Sequence, residues 1–130
     1  MKNEIRYELP MFSSNLIKDP LIRFEDMDVK IDIEGYDNED NLSKITFTFI
    51  SVLCIKQTSA RFTPKLYEAY DRIVELIDSE WLKELKGINE EDFNYWKPKH
   101  FILYLDGIGM YQFIAQAFEV IKNERFYTIK

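Results

Sequence analysis

The sequence predicts an α+β fold in which one or two short helices pack on an antiparallel, curved β-sheet. Three observations indicate this class. Two neighbouring segments alternate apolar and polar residues with the period of two that half-buried strands show. A third segment, FILYL at residues 101–105, is rich in β-branched and aromatic residues, and two segments between these keep helical spacing. With 130 residues, 46% of them hydrophobic, the chain has the size and composition of a single domain, 1–130.

The first predicted strands form a hairpin. MFSSNLIKDP, residues 11–20, is rich in turn-forming residues and is expected to lead into the first well-defined strand. From Phe24 onward, and most clearly in DVKIDIE at residues 28–34, apolar residues alternate with charged ones. GYDNEDNLS at residues 35–43 has loop composition, and KITFTFISVLCIK at residues 44–56 forms the second strand. The hairpin is therefore expected to have a long acidic tip.

The second strand is expected to lose its exposed face toward its end. Over residues 49–55 apolar side chains occupy both faces, which predicts a central strand covered on both sides. The predicted cover is a helix that begins at Thr63 and Pro64, which suit the N-cap and the first helical position. Its apolar residues keep helical spacing as far as Ile77. IVELI, residues 73–77, has two readings, because it could finish this helix or form a short strand.

A second helix is predicted to begin at Asp78 or Ser79 and to end at Gly87, a natural C-terminal stop. Its apolar side is formed by Trp81, Leu82 and Leu85. INEEDFNYWKPK, residues 88–99, is then predicted to be a loop, with Pro98 extending the chain before the next strand. Phe93, Tyr95 and Trp96 give this loop more aromatic surface than a free loop exposes. They are expected either to fill a gap in the core or to face a partner.

HFILYLDGIGMYQFIAQAFEVI, residues 100–121, divides at DGIG, residues 106–109. The part before this break is predicted to be a buried strand. The part after it has two readings: the apolar spacing fits an amphipathic helix, but a short glycine turn between two apolar segments is also typical of a hairpin. Periodicity alone leaves both open.

The residues that could perform chemistry do not form a recognisable catalytic site. His100 is the only histidine, so a nucleophilic triad would have to use it, and no G-x-S-x-G sequence occurs. A Cys54–His100 pair is formally possible. One histidine and one cysteine cannot build a usual zinc site, and no glycine-rich nucleotide-binding motif occurs. We therefore expect no catalytic residues, no metal and no cofactor.

Carboxylates are numerous enough to cluster by chance. Glu25, Asp26 and Asp28 could in principle act as an acid–base pair. Their position at the start of an amphipathic strand predicts an exposed face instead. YDNEDN, residues 36–41, has oxygen ligands but lacks the spacing of a calcium loop, and a solvated hairpin tip is the favoured interpretation.

The charge of the chain favours a protein partner over nucleic acid. The formal net charge is −6, which repels phosphates and can attract a basic partner, although acidic residues also serve solubility. No apolar run is long enough to span a membrane, and the N-terminal sequence MKNEIRYELP lacks the apolar segment of a signal peptide. A single cysteine fits a reducing compartment. The expected location is the cytoplasm, without membrane contact.

Two segments of the second half resemble those of a known group of proteins. YDRIVELIDSEWLKEL contains Ser79-Glu80-Trp81-Leu82, and a later segment follows the pattern H-x-I-x-Y-x-D-x-x-G-x-Y-x-x-I-A from His100 onward. Together they resemble small bacterial immunity-type proteins of toxin–immunity pairs. The matching positions of the later segment are His100, Ile102, Tyr104, Asp106, Gly109, Tyr111, Ile114, Ala115, Phe118 and Glu119.

The resemblance implies that residues 100–121 form a strand, a turn and a second strand. It also implies a function without catalysis, namely binding and neutralising a cognate toxin domain. Together with the acidic charge, it leads us to expect a basic partner such as a nuclease, with acidic groups that imitate phosphates and aromatic groups that anchor the complex. The candidate toxin-binding residues are Tyr36, Asp37, Glu39 and Asp40 at the hairpin tip and Glu90, Glu91, Asp92, Tyr95 and Trp96 in the segment before His100.

Two other functions fit the same sequence. A small enzyme or ligand-binding domain that uses carboxylates and tyrosines would have a deep pocket and a carboxyl group with a strongly shifted pKa. An adaptor with an unrelated partner would share every sequence feature of an immunity protein. The reading frame next to the gene would separate these last two.

Overall fold

The computed structural model describes residues 2–63, 69–122 and 125–129. These residues form eleven β-strands, two α-helices and a 3-10 turn at Ala60–Phe62. The strands are β1 Lys2–Glu8, β2 Met11–Leu16, β3 Leu21–Glu25, β4 Asp28–Asp37, β5 Leu42–Ile50, β6 Cys54–Ser59, β7 Arg72–Ile77, β8 Lys99–Leu105, β9 Gly109–Ala115, β10 Ala117–Lys122 and β11 Arg125–Ile129. The helices are α1 Glu80–Ile88 and α2 Glu90–Trp96.

The strands form two antiparallel sheets. The five-stranded sheet has the order β1-β7-β8-β9-β6, and the six-stranded sheet has the order β11-β10-β5-β4-β2, with β3 also paired to β4. Each of these strand pairs is antiparallel. The predicted α+β class with an antiparallel, curved sheet and two short helices is confirmed, and the strands are divided between two sheets.

The main hydrophobic core lies between the two sheets. Phe49 of β5 stacks on Phe113 of β9 with ring centroids 3.9 Å apart, and Phe101 of β8 meets Phe118 of β10 edge to face at 5.2 Å. The period of two explains this arrangement, because alternate residues of each strand point to one face. The buried residues that β4 contributes to this core are Val29, Ile31 and Ile33.

The predicted hairpin of β4 and β5 is confirmed, but its tip is shorter than expected. Tyr36 still pairs with Leu42, so the loop spans residues 38–41 instead of 35–43. The turn-rich segment before the hairpin was predicted wrongly, because residues 11–16 form β2. Met11 and Ser13 are buried while their neighbours Phe12 and Ser14 are exposed, and the small polar residue Ser13 on the inward face hides this alternation in the sequence.

The prediction of one long strand covered on both faces at residues 49–55 is wrong. β5 ends at Ile50, Ser51 adopts a left-handed backbone with φ of 52°, and β6 begins at Cys54 in the other sheet. The Val52 N–H donates to the Met27 carbonyl, and the Leu53 N–H donates to the Ile114 carbonyl. These apolar residues therefore form the corner at which the chain passes from one sheet to the other.

The helix predicted from Thr63 is wrong where the structure describes it. Residues 64–68 lie outside the described part, but residues 72–77 form β7, between β1 and β8. The strand reading of IVELI is correct. Ile73 faces the core between the sheets, whereas Val74 faces the opposite side, and both are buried. A strand that is apolar on both faces satisfies helical spacing by coincidence.

The second predicted helix is confirmed as α1, which extends one residue beyond Gly87. The predicted loop at residues 88–99 is wrong, because residues 90–96 form α2. Asn89 caps α2 by accepting a hydrogen bond from the Asp92 N–H at 3.1 Å. Three acidic residues in the first turn of α2 interact favourably with the positive end of the helix dipole. Lys97, with φ of 49°, ends the helix.

The strand–turn–strand reading is confirmed for residues 100–115, and the helix alternative is wrong. The second strand is shorter than predicted, because β9 ends at Ala115 and residues 117–122 form β10 in the six-stranded sheet. β8 and β9 pair from Lys99–Ala115 to Leu105–Gly109. Gly109 has φ of 148°, and a Cβ at this position would lie 2.2 Å from the Thr58 carbonyl oxygen.

Among the described residues, neither helix has the length and hydrophobicity needed to cross a membrane.

Candidate functional site

The predicted toxin-binding residues of the hairpin tip differ in their roles. The Asp37 carboxylate accepts hydrogen bonds from the backbone N–H groups of Asn41 at 3.0 Å and Glu39 at 2.9 Å, and the bond from Asn41 contributes most to lowering the pKa of Asp37. Asp37 therefore shapes the turn. Tyr36, Glu39 and Asp40 are exposed, which leaves their side chains accessible to a partner.

The predicted residues of the 90–96 segment lie on α2. Glu90, Glu91 and Asp92 are exposed in its first turn, and the Asp92 carboxylate also accepts a hydrogen bond from the Asn89 side chain at 2.8 Å. Tyr95 is 75% exposed.

The two readings of the aromatic residues in this segment apply to different side chains. Phe93 and Trp96 are half-buried, whereas Tyr95 projects into solvent with its ring edge to face with Trp96 at 5.4 Å.

One apolar residue of this region was missed in the sequence. Ile88, the last residue of α1, is 78% exposed. It directly precedes Asn89, the N-cap of the helix that carries Tyr95. Ile88, Glu90, Glu91, Asp92 and Tyr95 are called the helical surface from here on. This surface combines two large exposed apolar side chains with three carboxylates.

The hairpin tip and the helical surface do not form one site. The Gln116 side chain donates to the Trp96 carbonyl at 3.4 Å, and the Gln116 backbone N–H donates to the Ile50 carbonyl, so α2 ends beside the last residue of β5. The tip lies at the other end of this nine-residue strand, about 27 Å away at the usual rise per residue. The nine predicted residues therefore offer two separate surfaces.

A buried hydrogen-bond network surrounds the only histidine. His100 Nδ1 lies 2.6 Å from Ser79 Oγ, and Nε2 lies 2.8 Å from Gln112 Oε1. The amide oxygen of Gln112 can only accept, which assigns the ring proton to Nε2 and makes the Ser79 hydroxyl the donor to Nδ1. Ser79 Oγ also accepts from the Leu82 N–H as the N-cap of α1. Burial lowers the pKa of His100, and the hydrogen bond to Gln112 opposes this shift.

The Ser79–His100 contact has a structural role. Ser79 is 1% exposed, and its hydroxyl is occupied by both the helix cap and the imidazole, so a substrate has no access to it. The formally possible Cys54–His100 pair does not form. Both residues pair with Ile114 of the strand between them, which separates them by about 10 Å.

The two segments of the family resemblance meet at His100. Trp81 of the first segment contacts the imidazole edge to face with ring centroids 5.4 Å apart, and Ser79 of the same segment makes the hydrogen bond to Nδ1. Ser79, Trp81 and His100 therefore share one structural contact. It concerns the attachment of α1 to the five-stranded sheet and involves no residue of the helical surface.

A second polar cluster joins the turn after β8 to β2. The Asp71 carboxylate accepts from the Ser13 N–H at 3.1 Å, and the Asp106 N–H donates to Ser13 Oγ at 2.7 Å. Burial and a hydrogen bond to Asp106 raise the pKa of Tyr70 to about 12. Burial, reinforced by the charge of Asp106, also raises the pKa of Asp71.

Two open depressions flank this cluster, with volumes of about 330 Å³ beside Asp71 and about 370 Å³ beside Asp106. The arrangement could bind a small polar ligand or exchange a proton.

The carboxylates of the β3–β4 turn do not share a site. Glu25 forms an ion pair with Lys30 at 3.2 Å, and Asp28 accepts from the Ser51 N–H at 3.0 Å. Asp26 occupies the turn with φ of 54°. Within the described ranges, no three His, Cys, Asp or Glu side chains are grouped so that they could hold a metal ion.

Comparisons of the chain with protein-family models, with curated proteins and with solved structures found no match. The function is therefore argued from the surfaces and clusters described above.

Proposed function

We propose that this protein is a bacterial immunity protein that binds a cognate toxin domain in the cytoplasm and neutralises it through the helical surface. The observation that carries the proposal is the exposure of two large apolar side chains, Ile88 at 78% and Tyr95 at 75%, on the helices on either side of Asn89, with the acidic first turn of α2 between them in the sequence. Large apolar side chains exposed on a helix lose contact with water when a partner covers them. Ile88 ends α1 and Tyr95 lies on α2, so helical backbone holds both residues in place before binding.

The expected partner is basic, such as a nuclease with a positively charged substrate channel. The chain carries 23 acidic and 17 basic residues, so the long-range field attracts a basic protein. Carboxylates at the edge of an interface mainly accelerate association, whereas a central aromatic residue slows dissociation. In this proposal Glu90, Glu91 and Asp92 supply the attraction, and Tyr95 with Ile88 supplies most of the affinity.

The test is co-expression with the toxin domain encoded immediately upstream of the gene. We expect cells to survive and the two proteins to co-purify. Loss of both rescue and co-purification for the wild-type chain would remove the proposal.

Charge reversal separates the two candidate surfaces. Glu91→Lys is expected to weaken binding roughly tenfold, because it places a cation against a basic partner. Glu39→Lys makes the same charge change at the hairpin tip and is the matched control, with an expected change of less than about twofold. Equal effects of the two variants would show that the helical surface has no special role.

A ligand-binding or enzymatic function at Tyr70, Asp71 and Asp106 is the second candidate. It is favoured by the raised pKa values of Tyr70 and Asp71 and by the two depressions beside them. Asp71→Asn keeps the shape of the side chain and removes its charge. An immunity protein with this substitution should still rescue cells, whereas a protein that acts through Asp71 should lose its function while remaining folded.

A further inference from the structure

The free edge of β3 is exposed and apolar. β3 pairs with β4 on one side, and in the part of the chain that the structure describes no strand pairs with its other side. Phe24 is 70% exposed and Leu21 52%. Natural edge strands are usually shielded by charges, bulges or covering segments, because free N–H and C=O groups recruit a further strand. β3 carries charges at Arg23 and Glu25, but it combines them with two large exposed apolar residues.

The backbone of Phe24 is oriented toward this edge. β3 and β4 are joined by the two-residue turn Asp26–Met27, and the flanking residues Glu25 and Asp28 are paired. Such a turn is closed by a hydrogen bond between its flanking residues, and hydrogen-bonded pairs alternate with non-bonded pairs along an antiparallel ladder. The N–H and C=O of Phe24, the next residue, therefore point away from β4.

The charges around Phe24 are complementary to those of a second copy. Two β3 strands paired antiparallel about Phe24 place Arg23 of each copy opposite Glu25 of the other. Pairing about Arg23 would instead bring the two arginines together. The side chains of Arg23 and Glu25 are 45% and 60% exposed. Arg23 uses only two of its five N–H groups in the bonds to Asp32, so it can still reach a carboxylate across the interface.

The same pairing covers an apolar depression. Phe24, Met27, Leu53 and Ile55 line a depression of about 250 Å³ between the edge strands of the two sheets. Phe24 pairs with the core residue Val29, so its ring projects on the side that faces this depression. Two Phe24 rings at a twofold axis would meet there, and each would cover apolar surface of the other copy.

We propose that β3 is a homodimer interface in which two copies pair their β3 strands antiparallel about a twofold axis at Phe24. The two six-stranded sheets then become one continuous sheet. The interface is isologous, since the same residues contact each other in both directions. The strand is five residues long, so the interface is small and the dissociation constant is expected in the micromolar range. The dimer does not depend on the proposed toxin binding.

Sedimentation over a series from low micromolar to several hundred micromolar protein tests the proposal. The wild-type mass should rise from that of the 15.6 kDa chain to twice this value. Glu25→Arg and Arg23→Glu should each weaken dimerisation roughly tenfold or more, because each places like charges opposite one another. An equimolar mixture of the two should dimerise again, since every cross-strand pair then has opposite charges.

Glu84→Arg on the exposed side of α1 is the matched control and should dimerise as the wild type does. A wild-type chain that remains monomeric at the highest concentration would overturn the proposal. If the wild-type chain stays monomeric and Glu25→Arg weakens capture of the toxin domain, the β3 edge pairs with a strand of the toxin domain. That result would also overturn the dimer proposal. Unchanged dimerisation of Glu25→Arg would equally refute pairing about Phe24.

A cross-link checks the register without relying on charge reversal. Directly opposite residues have Cα atoms about 5.5 Å apart, within the range that a disulfide spans. Phe24→Cys in a Cys54→Ala background should form a covalent dimer on oxidation, and Phe24 is exposed enough for the substitution to leave the fold intact. Ile88→Cys in the same background should remain monomeric. Equal cross-linking of the two variants, or none at Phe24, would contradict the proposed axis.

Discussion

His100 is kept neutral by uncharged neighbours. The imidazole is 3% exposed, and its ring nitrogens contact a hydroxyl and an amide oxygen. Protonation would leave Nδ1 with a proton facing Ser79, whose hydroxyl already accepts from the Leu82 N–H. Burial therefore lowers the pKa of His100 below its ordinary value of 6.5, and the neutral ring serves to attach α1 to the five-stranded sheet.

The pKa of His100 is directly measurable, because the chain contains no other histidine. An NMR titration of the folded protein should give a pKa below 6.5, and the urea-unfolded protein should titrate near 6.5. The unfolded chain then takes up its proton at higher pH than the folded one. The contribution of the neutral His100 to the free energy of unfolding should therefore be fully present above about pH 6.5. It should decrease as the pH falls below this value. A folded-state pKa at or above 6.5 would contradict the burial of the ring.

Ser79 is expected to contribute more to stability than a typical cap. Ser79→Ala removes the N-cap of α1 and the hydrogen bond to His100, so the free energy of unfolding should fall by about 2 kcal/mol. Ser59→Ala is the matched control, because Ser59 is exposed and its hydroxyl accepts a long hydrogen bond of 3.5 Å from the Arg61 N–H. Urea denaturation should show a change below about 0.5 kcal/mol for the control. Equal losses of unfolding free energy in the two variants would show that Ser79 contributes no more to stability than Ser59.

At the scale of elements, the turn after β8 depends on Gly109. Its φ of 148° disfavours other residues, and a Cβ would overlap the Thr58 carbonyl, so Gly109→Ala should lower the free energy of unfolding by about 3 kcal/mol or more. Gly87 lies in α1 with open space around it. Gly87→Ala should therefore raise the free energy of unfolding by about 0.5–1 kcal/mol. Thermal or urea denaturation of both variants checks the opposite signs.

The elements that the sequence predicted well are those with one exposed face. β4 alternates apolar and charged residues, and α1 has an apolar side and a recognisable cap at Ser79, so each pattern has a single physical interpretation. β7 was ambiguous because Ile73 and Val74 are buried on opposite faces. α2 was missed because its seven residues span only about two helical turns, too few to show a repeat of apolar positions. The remaining signal in the sequence was its N-cap residue, Asn89.

At the scale of the whole molecule, the division into two sheets could not be predicted. It depends on the corner at Ser51–Leu53, where hydrogen bonds to Met27 and Ile114 connect parts distant in sequence. The relative positions of the candidate toxin-binding residues could not be predicted either. Their exposure could be inferred from charge and loop composition, but their separation into a hairpin tip and a helical surface follows from the length of β5 and the position of Gln116.

In the proposed complex, the charged and the apolar residues of the helical surface have different roles. Glu90, Glu91 and Asp92 suit the attraction of a basic partner at long range, whereas the apolar side chains of Ile88 and Tyr95 suit close contact. The association rate with a basic partner should therefore fall as salt is added, while the dissociation rate changes little. Stopped-flow or surface-based kinetics at several salt concentrations would check this. A salt effect confined to dissociation would oppose it.

The most direct measurement of the central claim is a calorimetric titration of the purified protein with the toxin domain encoded upstream. Tyr95→Ala should weaken the affinity by about 2 kcal/mol, or roughly thirtyfold, because it removes the most exposed aromatic side chain of the helical surface. Phe62→Ala removes a ring that is 80% exposed on the 3-10 turn and should leave the affinity unchanged. Wild-type affinity for Tyr95→Ala, or no binding by the wild-type protein, would contradict the account.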